Sequence, residues 1–314
     1  MVQPANLADR DGWIWVNGEL VPWRDARVHV LTHTLHYGLG VFEGVRAYET
    51  HRGATIFRLN EHTERLFNSA HILRMEIPYS REVLNRAQCE VVKANGLSEG
   101  YLRPMCFLGS EGMGLRADGL SVNVMIAAWP WPSYMDPAAR DRGIKVRTSS
   151  YTRHHVNITM CKAKANGNYI NSLLALREAL DCGAEEALLL DNEGYVAEGS
   201  GENFFMVKDG VIHTPELTSC LDGITRRTIF SLAEEFGYSI RERRITRDEV
   251  YIAQEAFFTG TAAEVLPIRE LDGRKIGNGA RGPVTQKLQA TYFDQVRGKR
   301  NAHPQWHTAV ADYA

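Results

Sequence analysis

Lys162-Ala163-Lys164-Ala165-Asn166-Gly167-Asn168-Tyr169 is the stretch on which the reading of this chain turns, with Glu198-Gly199-Ser200-Gly201-Glu202-Asn203 downstream of it. A lysine, a phenol and a carboxylate opening a Gly-rich turn are the groups that pyridoxal phosphate (PLP) chemistry requires. The amine forms a Schiff base with the cofactor aldehyde. The acid keeps the pyridine nitrogen protonated, so that the ring accepts electrons. The phenol can hydrogen-bond the ring oxygen. Each part is common alone; the ordered set is not. Lys162 and Lys164 compete for the amine role, and spacing to Tyr169 does not choose between them. Taken alone, either lysine reads as a solvated surface charge.

The chain has 314 residues, enough for one large domain or two ordinary ones. With 44% hydrophobic and 24% charged residues it can bury a sizeable core. A formal net charge of -2 gives no reason to expect nucleic acid or an anionic membrane as partner. No apolar run approaches the roughly 20 residues of a membrane span. The start, Met1-Val2-Gln3-Pro4-Ala5-Asn6, lacks the basic and apolar regions of a secretion signal. The cysteines are Cys89, Cys106, Cys161, Cys182 and Cys220, an odd number without CxxC. Reduced thiols in a cytoplasmic protein are the expectation.

Trp13–Val16 and Glu19–Val21 read as a hairpin around a type I′ Asn17-Gly18 turn. Residues 28–31 look like a strand. A helix is expected after Asn60 as N-cap, with Leu66, Ala70 and Leu73 inward. Another runs from about Ser80 to Asn95-Gly96, followed by β-rich runs over 101–108 and 120–129. Three prolines in 129–137 exclude a helix interior or a central strand and mark a domain boundary. The expected division is an N-terminal domain over 1–129, a linker over 130–142 and a C-terminal domain over 143–314. In the second domain a strand is expected over 144–150. A helix carrying Ile170, Leu173, Leu174 and Leu180 on one face stops near Gly183. Short strands follow at 187–190, 195–198, 203–207 and 211–212. A helix opens at Asp222-Gly223-Ile224-Thr225, a strand covers 256–259, and a last helix runs from Val284 to Gly298. Short strands mixed with helices in both halves indicate an α/β or α+β protein of two domains.

A phosphate needs donors. Gly223-Ile224-Thr225 opens a helix, where free N–H groups and the macrodipole favour an anion. Gly260-Thr261-Ala262 is a second small-residue turn, and Arg65 can supply fixed charge. Singly, each of these reads as ordinary capping or a solvated arginine. His29, His33 and His36 are spaced like metal ligands but lie beside no carboxylate, and no metal is expected. Gly109-Ser110-Glu111-Gly112-Met113-Gly114 is not a nucleotide fingerprint. Ser200 is not in a GxSxG elbow.

Together these residues resemble the branched-chain amino acid aminotransferases, of the fold-type IV class of PLP enzymes. The resemblance spans about Trp13 to Phe293. It rests on His36-Tyr37-Gly38, Val41 through Tyr48, Phe57-Arg58 with Glu61-His62 and Arg65-Leu66, and Tyr101-Leu102-Arg103-Pro104. Further along it rests on Gly112-Met113-Gly114, Lys164 with Gly167-Asn168-Tyr169, Glu198 through Asn203, Gly223-Ile224-Thr225-Arg226 and Gly260-Thr261-Ala262-Ala263-Glu264. It implies an α+β fold of two domains, the smaller N-terminal one α/β and the larger C-terminal one built around a β-barrel-like sheet. It chooses Lys164 over Lys162, because the family's Schiff-base lysine stands five residues before the tyrosine of Gly-Asn-Tyr.

The same resemblance assigns Tyr169 to the ring oxygen and Glu198 to the ring nitrogen. Arg65, Ile224, Thr225 and Thr261 would bind phosphate, and Leu221 would pack on the ring. For the substrate it implies Tyr101, Thr261 and Ala262 on the α-carboxylate. Phe42, Trp131, Tyr134 and Tyr169 would form an apolar wall, and Arg103 with Tyr37 would take the distal carboxylate of glutamate. The implied reaction moves the amino group of L-leucine, L-isoleucine or L-valine to 2-oxoglutarate and back, by ping-pong kinetics through a Lys164 aldimine. In the family, Tyr37 and the 109–114 loop reach across from a second subunit, so a homodimer or higher homo-oligomer is expected. Rivals of the same fold are D-amino acid transaminase, R-selective amine transaminase and aminodeoxychorismate lyase. Arg153-His154-His155-Val156-Asn157 departs from a Pro/Ala-richer family stretch, which bears on substrate range through His154 and His155.

Overall fold

The computed structural model describes residues 6–131 and 137–313. The chain divides into two compact units, each drawn from separate stretches. One comprises Met1–Pro132, Ala163–Gly167 and Arg297–Ala314; the other comprises Ser133–Lys162 and Asn168–Val296. This division departs from chain order in two places. Residues 163–167 and the C-terminal tail belong with the N-terminal unit, although the expected boundary put them in the C-terminal domain.

The first unit is a sheet with helices packed on it. β1 (Trp13–Val16) and β2 (Glu19–Pro22) form the expected hairpin. Asn17 and Gly18 both have positive φ, +48° and +104°, as a type I′ turn requires. β3 (Gly40–Phe42), β4 (Val45–Thr50), β5 (Gly53–Phe57), β6 (Gly100–Leu108) and β7 (Val122–Trp129) follow. The order is the C-terminal strand His307–Ala309, then β5, β4, β6, β7, β1 and β2, with β3 also along β6. β3 and β4 lie end to end on one edge of β6, interrupted at Glu43-Gly44. The interruption falls opposite Pro104, which has no N–H to give to a ladder; Glu43 N donates to Pro104 O at 2.8 Å. The break lets one residue leave the strand and turn its side chain inward.

α1 (His33–Tyr37), α2 (Leu59–Ile72) and α3 (Arg81–Ala94) complete this unit. α3 begins where expected, and Ser80 caps it by accepting from Val83 N. Asn60 does not cap α2. Arg58, in the left-handed region at φ +54°, occupies that position and pairs with Glu61 at 2.8 Å, while Asn60 accepts from Asn85. Leu66 and Ala70 are buried as expected, and Leu73 is half-buried at the helix end. Residues 28–31 are not a strand: Val28 and Val30 are exposed and the chain runs irregularly into α1.

In the second unit Pro137 opens α4 (Pro137–Arg142), the helix position where a missing N–H costs nothing. Residues 132–136 of the expected linker lie outside the described residues. The strands are β8 (Ile144–Thr148), β9 (Glu186–Leu190), β10 (Val196–Gly199), β11 (Asn203–Lys208), β12 (Val211–Thr214), β13 (Ile240–Glu242), β14 (Glu255–Gly260), β15 (Glu264–Leu271) and β16 (Arg274–Lys275). Pairing runs β10, β9, β8, β15, β14, β11, and β11 pairs back onto β10. Six strands thus close a barrel, filled by Ile144, Leu188, Phe204, Met206 and Phe258. α5 (Tyr169–Asp181), α6 (Ile224–Glu235), α7 (Arg247–Tyr251) and α8 (Pro283–Val296) accompany it. α5 inverts a simple hydrophobic reading. Its buried residues are Ser172, Ala175 and Ala179, of which the two alanines pack with β9 residues, while Ile170, Leu173, Leu174 and Leu180 are exposed.

Candidate active site

Within the first unit, Lys164 lies on the segment that runs antiparallel to β3. Val41 bridges Ala165, Phe42 N donates to Lys164 O at 3.1 Å, and Lys164 N donates to Ser69 Oγ at 3.0 Å. The backbone of Lys164 is therefore fixed on both sides. Its Nζ stands 5.0 Å from the Phe42 ring centroid. The Arg103 guanidinium lies 4.5 Å from the centroid of that same ring. Arg103 also lies over Tyr101, at 5.4 Å, and donates to the Tyr101 hydroxyl at 3.2 Å. Tyr101 packs edge-on to Trp131 with ring centroids 4.5 Å apart. Gly44 makes room for this hydroxyl: a Cβ there would come within 2.1 Å of it. Phe42, Tyr101, Arg103, Trp131 and Lys164 thus gather in one unit. Arg103 also lines a cavity of about 670 Å³ with Ile14, Trp23, Met125, Ala127 and Trp129.

Arg65 belongs to the same unit. Its Nε and Nη2 donate to the two carboxylate oxygens of Glu43 at 2.7 and 2.9 Å. His62 Nδ1 stands 2.7 Å from Glu43 Oε2. Burial opposes ionisation of Glu43, but the Arg65 charge and the His62 bond outweigh it and hold the carboxyl down at about 2. Burial likewise pushes His62 below its ordinary value, so the imidazole is neutral and donates to Glu43. Tyr37 ends α1, half-exposed, and its hydroxyl accepts from Gly114 N at 3.1 Å. His33 Nε2 lies 2.8 Å from Gly114 O, and His36 Nε2 lies 2.9 Å from Val30 O. Two of the three spaced histidines therefore bond backbone carbonyls, and no metal-ligand cluster occurs among the described residues.

Within the second unit, Glu198 is buried on β10. Its Oε1 pairs with Arg153 Nε at 2.6 Å, and its Oε2 accepts from Leu221 N at 3.2 Å. Tyr169 starts α5 and lies within electrostatic reach of the same guanidinium. Opposite Glu198 across the strand pair, Asn203 donates to Leu221 O at 2.8 Å. Gly223 fits under Asn203 because it lacks a Cβ, which would come within 1.9 Å of Oδ1. That contact sets the start of α6, where Ile224 and Thr225 are buried. The first turn of α6 carries no acidic residue and its N-cap Gly223 makes no side-chain bond. Thr261 and Ala262 form the half-buried turn after β14, which ends Thr259-Gly260. Lys162, the competing amine, donates to Thr218 O at 3.2 Å and Cys220 O at 2.9 Å, a tie between two loops. Tyr134 lies outside the described residues.

The amino-transferase class IV family model matches residues 40–271. The chain belongs to the class IV aminotransferases. The branched-chain-amino-acid aminotransferase of Pseudomonas aeruginosa is 68% identical over 305 residues, covering 97% of this chain and 99% of that one. That of Escherichia coli K12 is 46% identical over 289 residues, covering 91% and 94%. The T.th. branched-chain amino acid aminotransferase with pyridoxamine 5'-phosphate superposes at a TM-score of 0.94, with 48% identity over 96% of this chain and 99% of that one. The same T.th. protein has been solved with N-(5'-phosphopyridoxyl)-L-glutamate and with 4-methylvaleric acid, each at a TM-score of 0.92. The resemblance to the branched-chain enzymes and the two-domain fold-type IV architecture are both upheld.

Class IV aminotransferases use PLP, and the residues present fit it. The donor set of the second unit has a buried carboxylate for a pyridinium, an uncapped helix start without acid, and the turn after β14. Beside that turn, Thr259 Oγ1 is buried without a hydrogen-bond partner among the described residues. The first unit carries the Arg65 guanidinium and the Lys164 amine, groups whose chemistry suits a phosphate and an aldehyde. Sequence reasoning gave no role to Arg153, Glu43 or Asn203. Glu43 and Asn203 stood inside quoted motifs, but nothing in their spacing told which partner each would meet.

Proposed function

We propose that this aminotransferase exchanges the amino group between L-leucine, L-isoleucine or L-valine and 2-oxoglutarate, with ping-pong kinetics. One observation carries the reading: the Phe42 ring has the Lys164 amine and the Arg103 guanidinium both within about 5 Å of its centroid. A single side-chain pocket beside the reactive amine then offers an apolar wall to a branched side chain and a cationic fork to a distal carboxylate. The glutamate adduct and the 4-methylvaleric acid bound by the T.th. protein are an acidic and a branched apolar ligand of this kind.

When bound, PLP supplies an electron sink that makes the substrate α-proton acidic. Lys164 Nζ would hold the cofactor aldehyde, and its amine would serve as the base and acid for the substrate α-proton. Glu198 would hold a proton at the ring nitrogen, and Arg153, paired with it at 2.6 Å, would orient that carboxylate. Tyr169 donates to the ring oxygen and Leu221 packs on the ring face. Arg65, Ile224, Thr225 and Thr261 bind the phosphate. Tyr101, Thr261 and Ala262 orient the α-carboxylate. Phe42, Trp131, Tyr134 and Tyr169 exclude water from the side chain, and Arg103 with Tyr37 receives the distal carboxylate.

The exposed apolar side chains Leu35, Tyr37, Met113 and Leu115 favour a homodimer or higher oligomer in which the 109–114 loop meets a second copy. Five free cysteines suit a reducing cytoplasm.

Lys164→Ala is the direct test. Turnover of L-leucine with 2-oxoglutarate at the wild-type rate by the purified variant would sink the proposal. Separate additions of L-leucine and D-alanine distinguish the D-amino acid reading, since L-leucine alone should bleach the bound-cofactor band.

A further inference from the structure

Glu43 and His62 are buried behind Arg65 in the first unit, and the proposed reaction uses only Arg65, the outermost of the three. The Arg65 side chain is 13% exposed, whereas those of Glu43 and His62 are 1% and 3% exposed. The carboxylate therefore stands beneath the guanidinium, and the imidazole is buried beside the carboxylate. His62 and Arg65 are three apart on α2 and so share a face. Glu43 reaches them from the strand break opposite Pro104. Its two oxygens take the Nε–Nη2 edge of Arg65 side-on, which fixes the plane of the guanidinium. Oε2 accepts from His62 as well, so the carboxylate cannot rotate away from Arg65 without breaking a second charge-assisted bond. A charge fixed in plane and direction loses no side-chain entropy when an anion arrives.

We propose that Glu43, braced by His62, is a positioning residue for cofactor phosphate: it holds Arg65 in the orientation in which the guanidinium receives the dianion. This rests on the assignment of Arg65 to the phosphate. A neutral amide at position 43 cannot replace the carboxylate. It has one oxygen for donors on two sides, Arg65 and His62, and sets its own NH2 against one of them. Arg65 is then released to several rotamers, and retention of the cofactor falls.

The experiment follows loss of bound cofactor from the holoenzyme after transfer into phosphate buffer, read as decay of the bound-cofactor absorbance. The forms compared are wild type, Glu43→Gln, Arg65→Gln and the double variant, with near-UV circular dichroism reporting the fold. Glu43→Gln should lose cofactor about tenfold faster or more, the scale of a hydrogen bond to a charged group. In the Arg65→Gln background the Glu43 substitution should add nothing, because its effect passes through Arg65. Equal, additive effects in both backgrounds would mean that Glu43 only supports the fold, and would overturn the inference. Wild-type retention by Arg65→Gln would instead overturn the phosphate assignment. If Glu43→Gln does not fold, Glu43→Asp takes its place in the cycle: it keeps the charge but is too short to hold both donors.

Discussion

Arg153 and Glu198 form an ion pair whose two side chains are 8% and 7% exposed. Removing one member of such a pair strands the other without solvent. Arg153→Leu should therefore cost about 3–5 kcal/mol of stability, measured as a shift in the urea midpoint at unchanged slope. Its cofactor band should also shift, because Glu198 then loses the guanidinium that fixes its orientation. The Glu43 cluster gives a pH prediction. Glu43 is held at about 2 in the folded chain, below its ordinary 4.5, so its contribution is present above about pH 4.5 and lost as pH falls toward 2. His62 is also depressed, by burial, so the unfolded chain takes up its proton first as pH falls below 6.5, and stability drops there too. Urea midpoints between pH 7 and pH 3 should fall, and fall less steeply in His62→Phe. A steeper fall in that variant would contradict the arrangement. None of these partners was legible beforehand: Glu43, His62 and Arg153 were visible as residue types, but pairing across 19 or 45 positions is set by packing.

At the scale of elements, the start of α6 depends on Gly223 lying under Asn203. Gly223→Ala must move one of them, at about 1–3 kcal/mol, and should weaken cofactor retention; unchanged retention and melting temperature would refute the close fit. α5 shows how an apolar stripe can mislead. Its leucines and isoleucine repeat at helical spacing, yet Ala175 and Ala179 are the residues that pack with β9, because small side chains let the helix approach closely. Ile170 and Leu173 are 65% and 56% exposed. The double variant Ile170→Glu, Leu173→Glu should leave the unfolding midpoint within about 0.5 kcal/mol of wild type per site if α5 stays in water. If a second copy covers the face, sedimentation velocity should show a smaller species. β15 is a converse case. Pro267 argues against a strand with neighbours on both sides, yet β15 pairs with β14 and β8, and the β8 ladder shifts register just beyond that proline.

For the whole molecule, the tail has a structural role that chain order conceals. His307–Ala309 adds a strand to β5, Arg58 N donates to Trp306 O at 2.6 Å, and Trp306 and Val310 are buried. A chain ending at Val296 should lose the first unit's packing, seen as a low-temperature unfolding step ahead of the main one; a single unshifted transition would show the tail to be dispensable. By itself the sequence determined the local elements with strong periodicity or turn chemistry: the Asn17-Gly18 hairpin, α3 with its Gly96 stop, and α6 behind Gly223. It also determined the inventory of chemistry, a lysine five residues before a tyrosine and a carboxylate in a Gly-rich turn. These are legible because they depend on residues within a few positions of one another. The tertiary structure alone decided that residues 163–167 run along β3, that Glu43 lies beneath Arg65, that Arg153 faces Glu198, and that α5 turns its leucines outward. Each depends on which surfaces exclude water together. That is a property of the folded chain, because burial makes an unpaired charge costly wherever its partner stands in the sequence.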